Sequence, residues 1–117
     1  MNREVKIRIA AHTAKSIYDA YPNLWERFGE RGFLRTEEDN MHHLDHLETA
    51  FELQDSKVFV DYSKWLETVL TSRNVETALI IDNFERLIKV LPGNVNGEEE
   101  EFMIACLRHA NKELSAR

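Results

Sequence analysis

The chain of 117 residues is 43% hydrophobic and 31% charged, which indicates one folded domain over residues 1–117 rather than a disordered segment. No apolar run approaches the ~20 residues of a membrane-spanning helix, and the charged N-terminal stretch is unlike a secretory signal. The one cysteine, Cys106, excludes a disulfide framework. We therefore expect a cytoplasmic protein without a membrane partner. The net charge of −6 comes without a basic stripe that could displace counterions from phosphate, so nucleic acid is not expected as a partner.

Apolar residues recur every three to four positions along almost the whole chain, which predicts helices throughout and no sheet. The predicted helices, about six in number, cover in chain order roughly residues 3–21, 22–29, 37–54, 56–69, 75–91 and 98–114. Tight turns between them predict a compact all-α domain, arranged as a bundle or in a globin-like manner.

The ends of several predicted helices rest on residues with known capping preferences. Gly29 suits the C-terminus of the short second helix. Thr36 and Asp39 form a capping box that begins the third helix, with a turn between Gly29 and Thr36. Asp55 and Asn74 are predicted as the N-caps of the fourth and fifth helices.

The third predicted helix contains the stretch EEDNMHHLDHLETAF, with three of the five histidines in an acidic setting. Residues 36–55 carry seven acids and no Lys or Arg. His42 and His46 lie opposite the apolar stripe and four positions apart, a spacing at which two imidazoles and Asp39 one turn below could share a metal ion. The H-E-x-x-H pattern is absent. We therefore expect a solvated acidic face rather than a metal site at Asp39, His42 and His46, and no cofactor.

His43 lies on the same helix at the border between the apolar stripe and water. A border imidazole buries its ring and hydrogen-bonds through one nitrogen, so we expect it to tie this helix to Asp61 or Tyr62. The alternative is a ligand-sensing role. A small apolar pocket for a lipid or a tetrapyrrole would use His43, Tyr62, Trp65 and Trp25 as ligand-binding residues, whereas the simpler interpretation places the aromatic side chains in the core.

No pattern in the chain is typical of an active site. There is no nucleophile elbow, glycine-rich phosphate loop or dinucleotide fingerprint. Cys106 lies on an apolar helix face, where a buried thiol is inert. The acidic pairs lie in first turns of helices, where capping and the helix dipole explain them. We therefore predict a non-enzymatic protein without catalytic residues.

Three motifs follow one another from about residue 24 to residue 91: RFGERG, EEDNMHHLDHLETAF and DSKVFVDYSKWLETVLTSRNV. The positions that carry the pattern are Phe28, Gly29, Arg31, Gly32, Glu38, Asp39, His43, Asp55, Phe59, Tyr62, Trp65 and Leu66. In this order of motifs the chain resembles a small helical domain of bacterial regulatory proteins, often found upstream of a cobalamin-binding or signalling output domain. The resemblance implies an all-helical, non-enzymatic input or interaction module. The signature of a cobalamin-binding domain is absent, so direct cobalamin binding is not expected.

Two functions follow from these patterns. The first is a cytoplasmic regulatory or sensory module that acts through contacts with a protein partner or with a second copy in a homodimer. The second is a globin-like carrier or sensor of an apolar small molecule or a tetrapyrrole. The fifth predicted helix is apolar around much of its circumference between Leu79 and Leu91, which predicts either a central position or a shared dimer seam.

Overall fold

Every regular element of the computed structural model, which describes residues 1–116, is an α-helix. The helices are α1 Arg3–Ala20, α2 Asn23–Leu53, α3 Ser56–Thr71, α4 Thr77–Val90 and α5 Gly97–Ser115. With 84% helix, the all-α class is confirmed, whereas a bundle or globin-like arrangement stays a prediction. The single domain over residues 1–117 also stays a prediction, and Arg117 lies outside the described residues. Within residues 1–116, no helix combines the length and the apolar character that crossing a bilayer requires.

Residues 1–116 form five helices where about six were predicted, because α2 continues through the expected turn. Residues 30–36 are helical. The Thr36 hydroxyl donates a hydrogen bond to the Gly32 carbonyl at 2.8 Å, a bond typical of a threonine inside a helix. The capping box of Thr36 and Asp39 is therefore wrong as well, since the amides of a helix interior already have backbone partners.

Gly29 is the position at which α2 kinks. Its φ of 66° and ψ of −165° are not helical, and residues with a Cβ adopt this region only under strain. The prediction that a helix ends near Gly29 thus identified a real break. The helix resumes directly after it rather than after a turn of several residues.

The N-caps of α3 and α4 differ in how well the sequence predicted them. The Asp55 carboxylate accepts a hydrogen bond from the Lys57 amide at 3.0 Å, which confirms Asp55 as the N-cap of α3. The N-cap of α4 is Glu76, so the prediction of Asn74 is wrong. Asn74 instead has a φ of 66° in the preceding turn, a conformation that asparagine tolerates better than most residues.

The buried side chains form two clusters. The larger one draws on all five helices and includes Ile9, Leu44, Leu47, Phe59, Phe84, Leu87 and Leu107. The smaller one joins the end of α1 to the start of α2 and contains Ile17, Tyr18 and Leu24. Gly32 permits this approach, because a Cβ placed there would lie 2.9 Å from the Tyr18 hydroxyl oxygen.

Trp65 does not lie in the core, although the sequence predicted it there. Its side chain is 60% exposed, whereas Phe59 and Leu66 of the same helix are buried. The buried stripe of α3 runs through Phe59, Ser63 and Leu66. Because neighbouring residues point about 100° apart on a helix, Trp65 falls to the side of that stripe.

Candidate ligand-binding cavity

A half-open cavity of about 120 Å³ lies where the two core clusters meet. Its wall is formed by the end of α1, the residues around the kink in α2, the end of α3 and the start of α4. The apolar lining residues are Ile17, Tyr18, Leu24, Phe28, Leu70, Val75, Leu79 and Ile80. An enclosed apolar cavity of ~150 Å³ can hold benzene. This cavity is somewhat smaller but half-open, so a one-ring ligand fits if part of it extends into the opening. Drug-sized ligands need ~300 Å³ or more, which puts a tetrapyrrole outside its range.

Five polar or charged side chains in the lining differ in how deeply they are buried. His43 and Asn83 are buried, Asp39 is partly buried, and Arg35 and Arg73 are exposed. From this difference in exposure we infer that the two arginines lie at the opening and that His43 and Asn83 lie in the interior. A mainly apolar wall with a few placed polar groups is the composition of ligand sites in general.

His43 is hydrogen-bonded to a residue of α3. Its Nδ1 lies 2.7 Å from the Tyr62 hydroxyl, which confirms the predicted tie to Tyr62. The ring is 2% exposed and thus fully buried rather than at a border with water. Burial, together with the neighbouring His42 and His46, lowers the pKa of His43 to about 3, so the imidazole is neutral at physiological pH. Nδ1 is the only ring nitrogen of His43 for which residues 1–116 supply a hydrogen-bond partner.

Asn40 and Asn83 form a reciprocal amide pair that ties α2 to α4. The Asn83 amide nitrogen donates to the Asn40 side-chain oxygen at 2.7 Å, and the Asn40 nitrogen donates back at 3.0 Å. The Asn40 nitrogen also donates to the Thr36 carbonyl at 3.0 Å. Since buried amides are costly unless bonded, this pair fixes the position of Asn83 in the cavity wall.

Asp39 is the one carboxylate in the cavity lining. Burial raises its pKa, because a partly desolvated carboxylate disfavours its charged form, and Glu38 adds to the shift. The positive field of His42, Arg73 and Arg35 opposes it without cancelling it. The lining therefore contains two guanidinium groups and a carboxyl whose negative charge is disfavoured.

Of the four side chains predicted to bind a ligand, only His43 lines the cavity. Tyr62 is the hydrogen-bond partner of His43 and lies outside the lining. Trp25 is 44% exposed and packs against Tyr18, with ring centroids 4.8 Å apart. Trp65 is exposed on α3. The structure therefore does not bring the four residues together around one space.

Asp39, His42 and His46 do not converge on a common point. His46 Nδ1 donates to the His42 carbonyl at 2.8 Å, and the His46 ring stacks on Tyr62 with centroids 3.8 Å apart. His42 is exposed, whereas Asp39 lines the cavity. In the part of the chain that the structure describes, no group of three or more His, Cys, Asp or Glu side chains is placed to hold a metal ion. A metal site at these residues gains no support.

Several cavity residues were missed because the sequence predicted a turn where α2 is helical. With the helix extended back, Gly32, Thr36 and His43 fall on one face at spacings of four and seven. A glycine one turn before a threonine in a helix interior is the signal that could have indicated this face. Arg73 and Asn83 come from other elements, and no local pattern indicates that they meet α2.

Comparison of the chain with protein-family models, with curated proteins and with solved structures finds no match. The resemblance to a bacterial regulatory domain therefore stays a prediction. By its architecture, the chain is an all-α protein with a small cavity between two core clusters.

Proposed function

We propose that this protein is a non-enzymatic sensor or carrier of a small apolar molecule, which binds in the cavity between the two core clusters. The observation that supports the proposal is a half-open apolar cavity of about 120 Å³ that also contains a few charged and amide side chains. Its volume favours a one-ring or short branched ligand. The larger tetrapyrrole considered from the sequence is not part of the proposal.

A sensory role is supported by the contacts that lead from the cavity to the surface. His43 lines the cavity and bonds to Tyr62. The Tyr62 ring lies 6.1 Å from the ring of Trp65, whose side chain is 60% exposed. A ligand that displaces His43 would thus act on exposed Trp65 through Tyr62, which contacts both side chains. Tryptophan is one of the residue types enriched at the energetic centres of protein interfaces.

A second function, contact with a protein partner or with a second copy of the chain, is favoured by large apolar side chains at the surface. The exposed ones are Ile7, Trp25, Leu34, Leu53 and Trp65. We propose that such contacts carry the regulatory output of a ligand-bound state. A cytoplasmic location belongs to this proposal.

Thermal unfolding with toluene as the probe tests the ligand-binding proposal. A ligand that binds only the folded state adds about 3 kcal/mol to its stability at a hundredfold excess over Kd, so the melting temperature should rise with toluene concentration. In V75W, the indole should fill the opening and abolish the rise. The matched control is V95W, since Val95 is also a half-buried loop valine but lies outside the lining.

Two results would contradict the proposal. One is a wild-type melting temperature that does not respond to toluene. The other is a folded V75W variant, verified by far-ultraviolet circular dichroism, that responds as strongly as V95W. If V75W does not fold, L79F gives a second obstruction of the same wall.

A further inference from the structure

We infer that the cavity selects small apolar carboxylic acids, with the ring or branched chain inside and the carboxylate at the opening between Arg35 and Arg73. The inference rests on the proposed function and adds to it the charge class of the ligand. It is carried by the position, the pairing and the net charge of the polar groups in the lining.

Both arginines reach the opening from separate elements. Arg35 belongs to α2, and Arg73 lies in the turn between α3 and α4. Each is exposed and each lines the cavity. Both also lie close enough to Asp39 to act on its charge. A group at the opening would therefore meet guanidinium donors from two sides.

The guanidinium groups of Arg35 and Arg73 have no close partner in the protein. Residues 1–116 offer neither guanidinium group an ion pair or a hydrogen bond, although both groups act on the charge of Asp39. Arg27 contacts Glu76 at 2.8 Å and Arg86 contacts Asp82 at 2.7 Å. Arg3, Arg31 and Arg108 are also without an ion pair in residues 1–116, so Arg35 and Arg73 are distinguished by their place in the cavity lining. The donor fork of a guanidinium matches the two oxygens of a carboxylate. Arg35 and Arg73 have that capacity free.

The charge balance of the lining favours an anion. At neutral pH the two guanidinium groups outnumber the single carboxylate of Asp39, and His43 is neutral because burial lowers its pKa to about 3. The chain as a whole carries −6, so this opening has the opposite sign to the protein's net charge. A cationic ligand would face two arginines, and a neutral one would leave both without a partner.

Three probes of the same ring size separate charge from shape: benzoate, benzyl alcohol and benzylamine. Titration by calorimetry or by amide chemical shifts at neutral pH and low ionic strength should give benzoate an affinity about tenfold or more above that of benzyl alcohol. Benzylamine should bind more weakly than benzyl alcohol. Added salt should reduce the preference for benzoate, because charges at an opening are screened.

Single substitutions assign the preference to residues. R35Q and R73Q should each lower the benzoate affinity several-fold and leave the affinity for benzyl alcohol unchanged. D39N should raise the benzoate affinity, since it removes the only negative charge in the lining. R108Q is the matched control, because Arg108 is exposed on α5 and outside the lining, and it should change neither affinity.

The inference is overturned if benzyl alcohol binds the wild-type protein as tightly as benzoate, or if R35Q and R73Q weaken both ligands equally. In either case the cavity still binds apolar rings and the proposed function stands. If none of the three probes binds, the proposed function fails together with the inference.

Discussion

The buried imidazole of His43 shows how surroundings decide the chemistry of one residue. Its ring is 2% exposed and bonded to the Tyr62 hydroxyl at 2.7 Å. Because burial disfavours the charged ring, the pKa of His43 falls from 6.5 to about 3. A histidine that the sequence placed at a water border is thus a neutral core residue that faces a cavity.

This burial predicts a specific dependence of stability on pH. Below pH 6.5 the unfolded chain binds a proton at His43 that the folded chain does not bind until about pH 3. The contribution of neutral His43 is therefore complete above pH 6.5 and is lost as the pH falls towards 3. Between neutral pH and about pH 5 the loss should amount to roughly 2 kcal/mol.

Urea unfolding of the wild type and of H43Q at these two pH values measures the effect. Glutamine does not titrate but can still bond to the Tyr62 hydroxyl, so H43Q should show a smaller difference between the two pH values. All other titrating groups are common to both proteins. An identical pH dependence in H43Q would mean that His43 is protonated in the folded state.

The Tyr62 hydroxyl that bonds to buried His43 should contribute more to stability than the hydroxyl of the partly exposed Tyr21. Y62F removes the partner of a buried ring nitrogen and should lower the free energy of unfolding by about 1–3 kcal/mol. Y21F is the control, since the Tyr21 hydroxyl donates to Asp82 at 2.9 Å in a partly exposed setting, and it should cost less than about 1 kcal/mol. Denaturant unfolding that ranks Y21F above Y62F would contradict the role of the buried bond.

Trp65 is a residue for which sequence and structure give opposite expectations. The sequence predicts a core tryptophan, and truncation of a buried aromatic costs about 3–5 kcal/mol. The structure leaves Trp65 60% exposed and Phe59 0% exposed. W65A should therefore cost less than about 1 kcal/mol, and F59A should fall in the larger range. Equal losses in chemical denaturation would place Trp65 back in the core.

At the scale of the elements, the helices with clear periodicity are those that sequence reasoning located well. The predicted ranges 3–21 and 98–114 agree closely with α1 Arg3–Ala20 and α5 Gly97–Ser115. Periodicity is a local property and is visible in one sequence. The turn predicted between Gly29 and Thr36 was wrong, because the helix resumes directly after Gly29. Gly32 is needed there for close packing, since a Cβ at this position would clash with the Phe28 side chain of the same helix and with the Tyr18 hydroxyl of α1.

Gly29 and Gly97 offer a matched test of the kink in α2. G29A should lower the free energy of unfolding by about 1–3 kcal/mol, because its φ of 66° and ψ of −165° strain any residue with a Cβ. G97A should be neutral or slightly stabilising, since Gly97 begins α5 without a positive φ and has open space around it. Thermal unfolding of both variants decides the point. A neutral G29A would mean that the chain does not kink there.

At the scale of the whole molecule, α4 bears on the question of self-association. Ile80, Phe84 and Leu87 are buried within one chain, whereas Leu79, Ile81, Ile88 and Val90 are only partly buried. Both explanations of its wide apolar surface, a central position and a shared seam, therefore stay predictions. A homodimer stays a prediction, and the exposed Trp65 and Leu53 are its best candidates for a seam. Sedimentation equilibrium should then show a dimer at micromolar concentration that W65A weakens. A monomer up to near-millimolar concentration would remove the support for it.

The cavity itself lay beyond what the sequence could predict. The tie between His43 and Tyr62 was predictable, because two adjacent helices with clear stripes bring these residues face to face. The meeting of Ile17, Arg73 and Asn83 depends instead on how four elements pack at their ends. Such packing is set by the sum of many contacts, and no single motif encodes it.

Methyl nuclear magnetic resonance with toluene tests the central claim, a ligand site between the two core clusters, most directly. The claim predicts shifts confined to the lining methyl groups of Ile17, Leu24, Leu70, Val75, Leu79 and Ile80. The methyl groups of Leu44, Leu107 and Leu114 belong to the large cluster, lie outside the lining and should stay unchanged. An unchanged spectrum, or shifts as large at the second set as at the first, would contradict the account.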